Sequence, residues 1–202
     1  MRLYLVRHAV TAETGKSLSG RIPGIPLSVD GQAMAATLAE HLSAIKLVAI
    51  YTSPIERCRE TASVLAAGRP IRPQRDKAFI EADYGKWSGR RLSSLYKLKA
   101  WTNLMTSASR FRFPDGETLG EVQRRAVSAV ERLADKHRGE SIAISSHADV
   151  IRVVLANYLG TPLDLIHRID VLPASVSIVE LRASGQVRVP VVNHVADPGR
   201  WR

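Results

Sequence analysis

Leu3-Tyr4-Leu5-Val6-Arg7-His8 is the stretch on which the reading of this chain turns. A short unbroken apolar run is the pattern of a buried strand. Such a strand delivers its next residues to the edge of a sheet, and in open α/β sheets ligands bind at the carboxyl edge. Arg7 and His8 therefore put a permanent cation and a candidate nucleophile where a site would be.

The arrangement recurs. A second apolar run, 47–51, passes through Thr52-Ser53-Pro54 into a helix carrying Arg57, Cys58, Thr61 and Leu65. A third, 141–146, ends at His147 and leads into an apolar helix over 149–159. Between the first two runs, Ser28-Val29-Asp30-Gly31 offers caps for a helix with Met34, Leu38 and Leu42 at helical spacing. Right-handed crossovers put parallel strand ends on one side of a sheet. Arg7, His8, Arg57 and His147 then converge on one edge, where helix N-termini add N–H groups and positive dipole ends.

The expected fold is α/β: a three-layer sandwich, a mostly parallel central sheet with helices on both faces and a small helical lid insertion. Residues 71–75 read as an edge strand, because Pro73 cannot donate to a ladder. Residues 176–181 and 187–192, joined around Ser184-Gly185, read as a late hairpin. Over 79–116 the periodicity breaks down and aromatic residues mix with Arg90, Arg91, Lys97, Lys99, Arg110 and Arg112. The part from about 86 to 113 reads as the lid, with one or two helices; a subdomain that only packs is the plainer alternative. Pro114-Asp115-Gly116-Glu117-Thr118 then opens a long helix.

With 202 residues, 45% of them hydrophobic, the chain can bury a full core, and 1–202 is expected to be a single domain. No apolar run approaches the roughly 20 residues of a membrane span, and the start has no signal-peptide layout. Cys58 is the only cysteine, which excludes an internal disulfide, makes a cytoplasmic setting the expectation and leaves the thiol a packing role. The net charge of +10 is spread along the chain without a recognition motif. That favours an anionic small substrate over nucleic acid or a membrane as partner. No His, Cys and acidic cluster has ligand spacing, so neither metal nor other cofactor is expected. The sequence carries no signal for oligomeric state, and from Pro198 onward it is a short basic tail.

Taken together, the motifs resemble those of the histidine phosphatase superfamily, the phosphoglycerate mutase-like fold. Leu5-Val6-Arg7-His8-Ala9 is similar to the family's strand and Arg-His-Gly, followed by Thr11. Ser53-Pro54-Ile55-Glu56-Arg57-Cys58-Arg59-Glu60-Thr61-Ala62 resembles its Ser-Pro-x-x-Arg helix. Glu81 to Gly89 resembles its Glu-x-x-x-Gly-x-Trp-x-Gly segment, Gly116-Glu117-Thr118 with Arg125 its Gly-Glu-Ser and following arginine, and Ser146-His147-Ala148 its Ser-His-Gly. The departures are Ala9 and Ala148 for glycine, Val10 for a common glutamate, Thr14 for a common asparagine, and a carboxylate at Asp149. Asp149 is expected to turn away from an anion as N-cap of the following helix.

The resemblance implies a phosphatase that hydrolyses a small acidic phosphomonoester through phosphohistidine on His8. Nε2 is the expected attacking atom, with Nδ1–H held by a backbone carbonyl. Arg7 and Arg57 have the fork geometry to hold phosphate oxygens, with Thr14 beside them and His147 as a further donor. Two guanidinium groups should lower the His8 pKa. Glu81 is the expected acid, its pKa raised by aromatic neighbours, and Asp83 is its rival. Arg21, Glu117 and Arg125 are further candidates by the same resemblance. Glu117 also reads as an early-helix acid and Arg125 as an ordinary exposed arginine. His41, His137, His167 and His194 lack motif context and read as structural or surface residues. A short lid admits water and favours hydrolysis. Mutase-type phosphotransfer and a non-catalytic phosphate-binding protein on the same scaffold are the alternatives.

Overall fold

The computed structural model describes residues 1–196; the basic tail from Pro198 lies outside them. The opening run forms β1 (Arg2–Arg7), at the heart of a six-stranded sheet. Its neighbours are β4 (Ser141–Ser146), parallel to it, and β5 (Val176–Leu181), antiparallel. β2 (Ala49–Thr52) lies parallel on the far side of β4, and β3 (Gln74–Arg75) is the edge beyond it. The other edge is β6 (Val187–His194), paired with β5 as the expected hairpin. β3 is shorter than the 71–75 expected: pairing begins only after Pro73, which has no N–H to give.

The apolar runs are unbroken because both faces of the sheet are covered. Leu3, Leu5, Ala49, Tyr51, Ile142 and Ile144 enter one core, and Tyr4, Val6, Ile50 and Ala143 the other. The parallel register aligns Leu3 with Ile142 and Tyr4 with Ala143, so each row packs against one layer of helices. Helices α1 (Val29–His41) and α2 (Glu56–Ala66) cover the second face through Ala35, Leu38, Ala62 and Leu65. On the first face lie two further helices, 119–136 and 148–159, described below. Ser28 caps α1 by accepting from Gly31 N–H at 3.1 Å, an interaction of about 1 kcal/mol. No helix among the described residues is long and apolar enough to cross a membrane.

Segment 86–113 holds two short helices, α3 (Leu92–Leu95) and α4 (Lys99–Thr106). Its aromatic residues explain the missing periodicity, since they pack on one another rather than along a helix stripe. Trp87 stacks on Trp101 with ring centroids 6.0 Å apart and meets Phe113 edge-on at 5.7 Å. Trp87, Leu95, Leu104 and Phe113 are buried in the first core. Backbone bonds from Gly89 to Leu18 (2.8 Å) and from Leu92 to Lys16 (2.9 Å) tie the segment to the loop after β1. The six basic residues that drew attention to it are all exposed.

The long helix is α5 (Leu119–Lys136), opened by Thr118, whose side chain and that of Glu121 cap each other's backbone. Gly116, just before it, sits where a Cβ would lie 2.2 Å from Asp83 O, so glycine lets this turn press on the irregular stretch at 81–83. The last helix that bears on the site is α6 (Ala148–Leu159), with His147 as its N-cap.

Candidate active site

Strand order alone brings the main side chains together. β4 lies between β1 and β2, so the residues that follow the three strands, His8, His147 and Ser53, emerge side by side. Arg57 reaches them from the first turn of α2. His8, Arg57, Glu81 and His147 are all buried.

His8 Nδ1 lies 2.7 Å from Ala9 O, so the ring donates its Nδ1–H to the backbone and presents a lone pair at Nε2. This is the expected tautomer. Arg57 Nε donates to that Nε2 at 3.1 Å, while its Nη2 donates to Gly20 O at 2.7 Å and to His147 Nδ1 at 3.2 Å. Arginine can only donate, so Nδ1 of His147 is an acceptor. The His147 proton is then on Nε2, which donates to Ser53 Oγ at 2.8 Å. The two imidazoles meet edge to face, 5.3 Å between centroids. Arg7 Nη1 donates to Val171 O at 2.6 Å. Two guanidinium nitrogens, Arg7 Nε and Arg57 Nη1, are buried with no hydrogen-bond partner among the described residues.

Burial, then Arg57 and then Arg7, hold His8 well below the usual histidine range. The expected guanidinium effect is present, but burial leads it. His147 is likewise driven far down by burial first, with Arg57 and His8 adding to it. Glu81 moves the other way. Burial, and after it the Asp149 carboxylate, push it up to about 7, against the pull of Ala82 N–H, Arg57 and Arg7. The rise was expected, but burial leads it, and the like charge of Asp149 was not foreseen. Glu81 Oε2 is 3.8 Å from His147 Nδ1. With His147 neutral, that contact is not an ion pair.

Asp149 corrects another expectation. It does not cap α6; it lies inside the first turn. One carboxylate oxygen accepts from Tyr84 O–H at 2.7 Å and the other from Arg152 Nη1 at 2.9 Å. Burial works against its ionisation, but Arg152 and the Tyr84 hydroxyl outweigh it and lower its pKa.

Arg21, Asp83, Glu117 and Arg125 come together as one cradle beneath Glu81. The Glu81 carbonyl accepts from Arg21 Nε at 2.8 Å and from Arg125 Nη2 at 3.2 Å. Glu117 Oε2 accepts from Arg21, Arg125 and Asp83 N–H. Asp83 itself bonds Gly85 N–H at 3.0 Å and pairs loosely with Arg21, which draws its carboxylate away from the histidines. Glu117 precedes the N-cap Thr118 rather than sitting in the helix, and Arg125 is half-buried rather than free. Thr14 closes the turn after β1, its hydroxyl accepting from Thr11 N–H at 2.9 Å.

Sequence reasoning missed Ser53 as a partner of His147, and the Tyr84–Asp149–Arg152 chain. Ser53 lay in a quoted motif, and Arg152 follows Asp149 by one helical turn, a pairing a charge-pattern search could find. Cys58 has the packing role expected: its thiol, pushed up to about 12 chiefly by burial, donates to Ser146 O at 3.4 Å and abuts His147. Its high pKa keeps it from acting as a thiolate nucleophile.

A sheet edge with two neutral imidazoles, two guanidinium groups and a protonatable glutamate defines a phosphoryl-handling α/β enzyme class. The chain belongs to the histidine phosphatase superfamily, branch 1, whose model matches residues 3–194. Phosphoserine phosphatase 1 of Hydrogenobacter thermophilus is 28% identical over 189 residues, covering 90% of this chain and 87% of its own. The probable phosphoglycerate mutase GpmB of Cronobacter sakazakii is 28% identical, covering 91% and 86%. Among solved structures, Bacillus stearothermophilus YhfR superposes with a TM-score of 0.84 at 31% identity, over 94% of this chain and 95% of that one.

Proposed function

We propose that this protein hydrolyses small phosphomonoesters through a phosphohistidine on His8. The observation that carries the reading is the pair of buried, unpartnered guanidinium nitrogens, Arg7 Nε and Arg57 Nη1, flanking a neutral His8 with its proton held on Nδ1. An anion is what such donors lack, and phosphate matches their fork geometry. Nε2 attacks phosphorus, the bond to the leaving oxygen breaks, and Glu81 gives that oxygen its proton. The Glu81 carboxylate then takes a proton from water, which attacks phosphorus, and the P–N bond breaks to return His8. Arg57 exchanges its bond to Nε2 for a phosphate oxygen as the substrate enters. His147 orients Arg57 through Nδ1; direct donation to phosphate from that nitrogen would need a second proton. Arg21, Asp83, Glu117 and Arg125 position Glu81, Thr14 borders the phosphate loop, and segment 86–113 serves as the lid. The setting is read as cytoplasmic, with a small phosphorylated molecule and not nucleic acid as partner; the buried free thiol of Cys58 is consistent with it.

The direct test is Glu81→Gln with 4-nitrophenyl phosphate, whose leaving group needs no proton. The variant should give a burst of nitrophenolate, accumulate acid-labile phosphohistidine and turn over about 100- to 10,000-fold more slowly than wild type. Absence of phosphohistidine in both proteins overturns the reading. Wild type that interconverts 2- and 3-phosphoglycerate without releasing phosphate makes it a mutase.

The Asp149 effect has a definite sign. Glu81 faces Asp149, Tyr84, Arg7, Arg57 and His147, and Asp149 is the group whose charge raises it most. As general acid, Glu81 must be protonated, so activity falls as pH rises through its pKa. Asp149→Asn removes the like charge and frees the Arg152 cation. The alkaline limb of kcat/KM should move toward lower pH by about one pH unit, with the acidic limb, set by His8, nearly unchanged. A pH–rate profile on an alkyl phosphate checks this; an alkaline limb that stays put removes Asp149 from the tuning of Glu81.

A further inference from the structure

A cavity of about 240 Å³ opens beside the cluster, between α4, α6 and the 3-10 segment Leu163–Arg168. We propose that it receives the alcohol part of the ester, and that this part is an uncharged apolar framework of about one ring. The assignment rests on the phosphatase reading and narrows it to a substrate class.

Size sets the first limit. An apolar cavity of about 150 Å³ holds benzene, so this one takes a ring and a few further atoms. Its walls set the second: Leu18, Trp101, Leu104, Met105 and Phe113 are apolar. Asp149 and Arg152, the charged groups on its surface, neutralise each other at 2.9 Å. The pair is also satisfied elsewhere, Asp149 by Tyr84 O–H at 2.7 Å and Arg152 Nε by Ile169 O at 3.0 Å. A carboxylate brought here would lose water against an apolar wall and face Asp149. The exposed lid cations do not line the cavity. Position sets the third limit. Three lining residues continue directly into the site: Leu18 lies two residues before Gly20, whose carbonyl holds Arg57, Tyr84 three after Glu81, and Asp149 two after His147 at the start of α6.

Non-hydrolysable phosphonates test the cavity apart from the chemistry. By calorimetry on the full chain, benzylphosphonate should bind about 10- to 100-fold more tightly than inorganic phosphate, and phosphonoacetate no better than phosphate. Met105→Glu should collapse the ratio of benzylphosphonate to phosphate affinity. Tighter binding of phosphonoacetate than of benzylphosphonate, or a ratio untouched by Met105→Glu, overturns the assignment. A benzyl preference in a protein that forms no phosphohistidine would sink the catalytic reading and leave the cavity assignment standing. Phosphohistidine without that preference does the reverse.

Discussion

His8→Ala should abolish phosphate release, lowering turnover of any phosphomonoester by about four orders of magnitude or more. Its Nε2 is an unprotonated lone pair that accepts from Arg57 Nε, so no proton has to leave before attack. Alanine there removes the acceptor of the phosphoryl group and leaves the rest of the anion site in place. The variant should therefore still bind vanadate or phosphate within about tenfold of wild type. Steady-state phosphate release and a binding isotherm read the two effects separately. Activity that survives His8→Ala removes the phosphohistidine route altogether.

Arg57→Ala should be nearly as damaging, with kcat/KM falling about 1,000-fold. This side chain is 2% exposed and holds three elements at once: His8, His147 and the Gly20 carbonyl of the loop after β1. Arg57→Lys keeps the charge but loses the planar fork, so it should recover no more than about tenfold of the loss. A second signature follows from charge. After burial, Arg57 is the strongest influence holding His8 down. His8 must be neutral to attack, so its protonation sets an acidic limb that lies well below the usual histidine range. In Arg57→Ala that limb should move to higher pH. A pH profile whose acidic limb does not move, or near-wild-type activity in Arg57→Lys, contradicts this role.

The sheet was legible because strands covered on both faces write themselves as unbroken apolar runs, and because their ends carry the site. The same runs hid their own alternation: nothing in Leu3-Tyr4-Leu5-Val6 tells which residue meets α1 and which meets α5. Periodicity could not rank Glu81 above Asp83, since both lie in an irregular stretch with no period to assign a face; only the resemblance did. Arg21, Glu117 and Gly85 N–H engage the Asp83 carboxylate or its backbone, while Glu81 Oε2 lies 3.8 Å from His147 Nδ1, an arrangement that favours the same ranking. Asp149 was misread for a related reason. Its position favoured a cap, but its partner Tyr84 is 65 residues away in sequence, and only tertiary structure brings the phenol to it. The lid cations drew attention by number, yet number carries no direction; all six point to water.

The hydrogen bond from Arg57 to His8 Nε2 has one more consequence. On the proposed phosphohistidine route it would work as a safety catch. While the guanidinium occupies the lone pair, the imidazole is masked toward stray electrophiles such as acylating metabolites, and toward metal ions. A ligand with enough negative charge to draw the guanidinium aside also unmasks the nucleophile, and does so at the place where its own phosphorus will stand. Diethyl pyrocarbonate, a small neutral acylating agent, should accordingly modify His8 more slowly in wild type than in Arg57→Ala; equal rates would mean that burial alone protects the ring. Arming by the substrate's own charge turns a chemically exposed design into a selective one.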